Sequence, residues 1–149
     1  MNSNRRYRFI LLAIVLIAVS LRLTASLILL DPPRGDAADY DNIARNLLAR
    51  HQFVSTRMGG LVSYRPPLYP MLLAGTYAVW GMSPVPILII QALLGAVICL
   101  QIYRIAARIY GPRSGLFSAA ITALYPPLIY YSTQLLAETL FIFLLLAAV

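Results

Sequence analysis

The chain has 149 residues, 60% hydrophobic and only 11% charged, with a mean hydropathy of +0.77. Soluble domains carry roughly a quarter charged residues, so a soluble fold is excluded and the chain reads as an all-α polytopic membrane protein. The formal charge of +7 comes from arginine alone; without aromatic–basic interleaving on a polar domain, it reports topology and argues against a nucleic-acid partner. Cys99 is the only cysteine, which excludes an internal disulfide, and in its apolar run it reads as a small core hydrophobe.

The first predicted span is Phe9 to Leu30, long enough at ~1.5 Å per residue to cross a ~30 Å hydrocarbon core. Arg5, Arg6 and Arg8 precede it and hold the N-terminus in the cytoplasm. A cleaved signal peptide would end its apolar region after ~7–15 residues at small residues. This run instead continues past Arg22, and Thr24-Ala25-Ser26 is a poor cleavage site. Arg22, deep in the span, is expected to snorkel outward or to pair with an acid of a helix that lies outside these 149 residues.

Asp31-Pro32-Pro33 stops the first helix, because proline cannot continue it. Over residues 36–53, Tyr40, Ile43, Ala44, Leu47 and Leu48 fall on one helical face, which predicts an amphipathic helix lying on the membrane surface. Asp41 and Arg45 form an i,i+4 pair on another face. Residues 68–81 are apolar but too short for a crossing and predict an interfacial or re-entrant helix. Further spans are expected over 85–103, 114–131 and from 135 onward, the last left unfinished at Val149. Arg104, Arg108 and Arg113 around Gly111-Pro112 read as a cytoplasmic loop. The outer loop is therefore 31–84, and the chain is expected to be the front part of a longer protein.

The topology turns on residues 68–81. If they do not cross, Asp36 and Glu138 lie on the same outer side; if they cross, the two acids face opposite sides. The basic stretch at 104–113 favours the first arrangement.

The outer loop holds the residues suited to chemistry. Asp36 follows Gly35 at the start of the predicted surface helix, where it either caps the helix or serves as a general base towards an attacking hydroxyl or amine. Asp39 and Asp41 are open to a helix-dipole role. Arg65, before Pro66-Pro67, is either an interfacial anchor or a phosphate clamp, for which guanidinium geometry is suited. Glu138 is the only glutamate; it is a functional candidate if it lies within the membrane and a helix-dipole partner if it lies at the interface. Tyr125, Tyr130 and Tyr131 suggest an aromatic belt, and His51 a solvated surface residue. No dinucleotide, Walker-loop, zinc-protease or serine-triad motif occurs.

Taken in order, these pieces resemble a known family. They are Arg22, Gly35-Asp36 with Tyr40 and Ile43-Ala44, Tyr64-Arg65-Pro66-Pro67-Leu68-Tyr69-Pro70, Ile105 to Gly111, and Tyr125-Pro126-Pro127 through Tyr131-Ser132 to Glu138. The set is similar to the N-terminal part of GT-C superfamily membrane glycosyltransferases. Within it, the closest likeness is to the family 39 or protein-mannosyltransferase-like group, which includes the lipid A aminoarabinose transferases.

The resemblance implies a GT-C-type set of transmembrane helices with juxtamembrane amphipathic helices in the outer loop. It implies transfer of a sugar from a polyprenyl-phosphate donor to a lipid, glycan or protein acceptor, on the outer face of a bacterial inner membrane. It assigns Asp36 as catalytic base, Arg65 as the donor-phosphate contact, and Glu138 and Asp39 as supporting acids or ligands to a divalent metal. Tyr40, Pro66, Pro67 and Tyr69 would shape the loop. Many relatives carry a second acid directly after the aspartate; Ala37 stands here, and Asp39 is the nearest substitute. Relatives have many more spans, so these 149 residues alone are expected to be inactive. The alternatives from other classes are a small multi-span transporter using Glu138 for a proton or cation, and an inactive accessory or truncated membrane protein.

Overall fold

The computed structural model describes residues 3–29, 31–59 and 65–149. Leu30, at the end of the first predicted span, and Tyr64, at the start of the arginine–proline motif, lie outside the described residues. All regular elements among the described residues are helical: α1 (Ser3–Ile28), α2 (Gly35–Arg50), a single 3-10 turn (Thr56–Met58), α3 (Leu68–Trp80), α4 (Val85–Tyr110), α5 (Pro112–Leu124), α6 (Pro126–Thr133) and α7 (Glu138–Ala147). The chain is an all-α membrane protein, and α1 from Arg5 and α4 are each long and apolar enough to cross a membrane.

The helix boundaries follow from local chemistry. Gly35 turns the chain into α2 at φ +53°, a left-handed conformation that side chains resist. His51 closes α2 in the left-handed region and donates its backbone N–H to the Leu47 carbonyl at 3.1 Å. The expected surface histidine is thus an exposed helix cap. Pro67 precedes α3 and its carbonyl accepts from Met71 at 3.0 Å. Gly111, at φ +88°, is the whole turn between α4 and α5. Arg104 and Arg108, read from sequence as loop residues, therefore lie on the last turns of α4, where cations favour the helix dipole.

α4 is the centre of the bundle and packs against α1, α5, α6 and α7. Its approach to α5 depends on Gly115, where a Cβ would meet Ala107 Cβ and the Tyr103 carbonyl at 2.8 Å. α2 and α3 form a separate layer. The predicted apolar face of α2 is present, with Tyr40, Ile43 and Ala44 buried, but it covers α3 rather than a lipid surface. Tyr69, Leu73, Ala74 and Tyr77 of α3 complete this core together with Ile87, Leu88 and Leu135.

The span expected over 114–131 is divided. Tyr125 is extended, and Pro126 and Pro127 begin a new helix. In an unbroken helix the carbonyls of Thr122 and Ala123 accept from the backbone N–H four residues on, and at 126 and 127 both residues are prolines without one. Arg22 supplies the missing donors. Its Nη1 donates to the Ala123 carbonyl at 3.3 Å and to Ala18 at 3.1 Å, and its Nη2 donates to Thr122 at 3.4 Å. Arg22 is 1% exposed, so it does not snorkel, and among the described residues it forms no ion pair: it caps a broken helix from the side. Gly95 makes room, since a Cβ there would stand 2.4 Å from Arg22 Nε. α6 then turns sharply, at 116°, into α7. That corner brings Glu138 towards α2.

Candidate active site

The centre of the site is Arg65, which reaches back across the loop to the first turn of α2. Its Nη1 donates to Asp36 Oδ2 at 2.9 Å and its Nη2 donates to Asp36 Oδ1, a bidentate pair. Its Nε donates to Asp39 Oδ2 at 3.1 Å. One guanidinium thus bridges two carboxylates that α2 presents three residues apart, on one face. Asp39 is buried, and its other oxygen accepts from Ser55 Oγ. Asp36 keeps 60% of its side chain exposed against 17% for Arg65, so the aspartate faces open space while the arginine is held from behind. The cap position of α2 belongs to Arg34 and carries no side-chain bond. Asp36 therefore lies within the first turn, favourable to the helix dipole, with its carboxylate committed to Arg65 instead of a cap.

Aromatic packing sets the height of this cluster. The Arg65 guanidinium carbon stands 5.4 Å from the Tyr40 ring centroid, and Tyr40 meets Tyr69 edge-on at 5.2 Å and 74°. Burial raises the Tyr40 hydroxyl above its ordinary pKa, opposed in part by the Arg65 charge. Tyr69 is raised well above it, chiefly by burial, and donates its OH to Gln91 Oε1 at 2.7 Å. Gln91, 1% exposed on α4, donates through Nε2 to the carbonyls of Ser132 at 3.0 Å and Gln134 at 2.8 Å. A continuous chain of contacts therefore runs from Arg65 through Tyr40, Tyr69 and Gln91 to the corner that carries Glu138. Gln91 escaped the sequence reading; a lone amide in an apolar span was the available signal.

A second cluster supports the first. Asp41 accepts from Tyr77 OH at 2.5 Å and from Arg45 Nε at 2.8 Å, which ties α2 to α3. Burial first, and then the bond to Asp41, raise the Tyr77 hydroxyl above its ordinary pKa. The hydrogen bond to Asp41 raises Arg45.

Asp36 and Glu138 stand on a ridge between two clefts. On one side a cavity of about 310 Å³ is walled by Tyr40, Pro66, Leu68 and Tyr69 and floored by Leu140, Phe141 and Leu144. On the other a cavity of about 380 Å³ is lined by Asp31, Arg34, Tyr130 and Gln134. Both acids line both cavities. The 13 residues of α3 span only about 20 Å. Glu138 opens α7 and has no hydrogen bond or ion pair among the described residues. No group of three His, Cys, Asp or Glu among the described residues is placed to hold a metal ion. Asp36 and Glu138 bring two carboxylates to this ridge, the first of them engaged by Arg65.

Residues 64–149 match the model of the dolichyl-phosphate-mannose-protein mannosyltransferase family, which is more than half of the chain. The chain belongs to that family. It is a membrane glycosyltransferase of the GT-C type, which removes the ground for the transporter alternative. The matched stretch contains Arg65, Pro66, Pro67, Tyr69 and Glu138, whereas Asp36, Asp39 and Tyr40 precede it and are brought to it by the fold. No curated protein and no solved structure matches the chain.

Proposed function

We propose that the chain carries the donor-facing half of the active site of a polyprenyl-phosphate-sugar-dependent glycosyltransferase, transferring a hexosyl or pentosyl group. The observation that supports this reading best is the bidentate Asp36–Arg65 pair, whose aspartate lines an apolar cleft beside Pro66. A lipid-borne donor needs an apolar wall for its prenyl chain and a fixed cation for its phosphate. The leucine and phenylalanine side chains of α7 that line the cleft and the guanidinium of Arg65 nearby meet those two needs.

Donor phosphate entering the cleft competes with Asp36 for the two terminal nitrogens of Arg65, while Asp39 keeps hold of Nε. The carboxylate of Asp36 is thereby released as a base. It takes the proton from an acceptor hydroxyl, or amine, whose heteroatom attacks the anomeric carbon. The bond from that carbon to the phosphate oxygen breaks, and polyprenyl phosphate leaves with the electron pair. Displacement inverts the anomeric configuration. The acceptor (lipid, glycan or protein) approaches by the polar cleft on the far side of Asp36, opposite the leaving phosphate. Glu138, on the same ridge, orients the acceptor or the sugar.

The working membrane in this reading is a bacterial inner membrane, with the site on its outer face and the N-terminus in the cytoplasm. The test is transfer from a labelled polyprenyl-phosphate hexose by the full-length protein in proteoliposomes, comparing wild type with Asp36→Asn. Wild-type activity in the variant overturns the assignment of the base. Equal transfer from a soluble nucleotide-sugar with no lipid-linked donor present overturns the donor class.

A further inference from the structure

At the end of the bundle remote from this site, α1 and α5 enclose a cavity of about 600 Å³, within the roughly 300–1,000 Å³ usual for small-ligand sites. Its mouth carries Arg6 and Arg113, with Tyr7 beside them, and its walls are Ile10, Ile14, Leu116 and Phe117. Neither arginine has a carboxylate partner among the described residues. Both sit in the first turns of their helices, α1 and α5, and neither of those turns contains an acid. A cation at a helix N-terminus opposes the dipole, so two guanidinium groups and two positive helix ends are gathered at one opening, where the C-terminal end of α4 at Gly111 is the opposing helix end.

No carboxylate side chain among these 149 residues reaches it. All five acids are Asp31, Asp36, Asp39, Asp41 and Glu138, and they cluster beyond the other end of α1. From Arg6 to Ile28, α1 alone extends about 33 Å. The positive-inside tendency accounts for arginines at this end, but not for two of them lining one apolar-walled cavity. Phe117, 72% exposed, adds an uncovered apolar surface beside the charges.

We infer that this cavity is a binding site for an anionic phospholipid. The phosphate sits between Arg6 and Arg113, and an acyl chain runs along Ile10, Ile14 and Phe117. Basic pockets between membrane helices hold anionic head groups in this way, and the charge at the mouth selects against a zwitterionic lipid. The inference is independent of the glycosyltransferase chemistry, which lies at the opposite end of α1.

The purified chain in detergent, stripped of lipid, is titrated with phosphatidylglycerol, phosphatidylcholine or inorganic phosphate while its melting temperature is followed. Phosphatidylglycerol is expected to raise Tm by about 3–6 °C at saturation, with phosphatidylcholine and inorganic phosphate giving less than a third of that shift. Arg6→Ala with Arg113→Ala should abolish the difference between the two lipids, and Arg6→Lys with Arg113→Lys should retain part of it. Spin-labelled lipids in vesicles give a second readout that does not depend on folding yield: the motionally restricted fraction should favour phosphatidylglycerol in wild type only. Equal shifts from both lipids, or a preference that survives the double alanine variant, overturn the site. A full shift from inorganic phosphate alone overturns its assignment to a lipid.

Discussion

Asp36 and Arg65 are 29 residues apart in the chain and meet through two parallel hydrogen bonds, with Asp39 holding the remaining side of the guanidinium. The proposed base and the proposed phosphate contact are therefore engaged with each other before substrate arrives. This makes the two steps of the proposed mechanism separable, because a change at Asp36 acts in opposite directions on donor binding and on transfer.

Asp36→Asn keeps the shape of the side chain and removes its charge. Transfer is expected to fall by about 10²–10⁴-fold, the usual worth of a positioned base. Donor affinity is expected to hold or improve, because an amide competes less well with phosphate for Arg65. Parallel measurements of donor binding and turnover in the full-length protein check this, and a parallel loss of both contradicts the exchange.

Arg65→Lys is not conservative here. A single ammonium cannot bridge Asp36 and Asp39 as the guanidinium fork does, nor lie over Tyr40 in the same way. Donor KM is expected to rise at least about tenfold, or roughly 1.4 kcal/mol. Arg65→Ala should in addition lower stability by about 1–3 kcal/mol, because Asp39, 7% exposed, is left with Ser55 as its one partner among the described residues. Thermal melts distinguish this from the lysine variant.

The cap that Arg22 places on α5 predicts a coupling. Arg22→Met leaves the Thr122 and Ala123 carbonyls without their donor, at an expected cost of about 1–3 kcal/mol. Replacing Pro126 and Pro127 by alanine restores the backbone N–H groups those carbonyls lack, so the same Arg22 change should then cost less. A double-mutant cycle on melting temperature measures this term, and strict additivity would refute the capping role.

Gly95→Ala tests the same contact from the other side. The new Cβ would sit 2.4 Å from Arg22 Nε and 2.7 Å from its Cδ, and the guanidinium is held by carbonyls on α1 and α5. Destabilisation of about 1–3 kcal/mol is expected from overpacking. It should shrink when Arg22 is also replaced by methionine.

Alkaline pH should expose the tyrosine network. Tyr69 and Tyr77 ionise above their ordinary value in the folded protein, for which burial is the larger cause in both. The unfolded chain therefore releases these protons first, near pH 10. Their contribution to stability is complete below that pH and is lost as pH rises towards their folded values. Phenolate absorbance should show a late-titrating class, and Tyr77→Phe should diminish it.

Much of this architecture was legible in the chain. Hydropathy marks α1 and α4, since a membrane crossing depends on a run of apolar side chains and little else. Prolines and glycines mark the ends of α3 and α4, where local backbone geometry decides. The face of α2 that carries Tyr40, Ile43 and Ala44 follows from helical period, and the residues at the site could be named from resemblance.

Other features were settled by contacts between distant segments. Sequence reads Arg22 as a charge needing water or an acid, because nothing local reveals that Pro126 and Pro127 leave two carbonyls open about a hundred positions away. Gln91 reads as one polar residue in a span, and only folding joins it to Tyr69 and to the corner before Glu138. The amphipathic helix and the arginine–proline motif were visible separately. Their union is tertiary, because a salt bridge across 29 residues leaves no local periodicity and depends on α3 folding back over α2. Sequence determined which segments enter the membrane and which charges remain; packing decided which of those charges meet, because ion pairs and carbonyl caps form wherever three-dimensional proximity leaves a polar group without water.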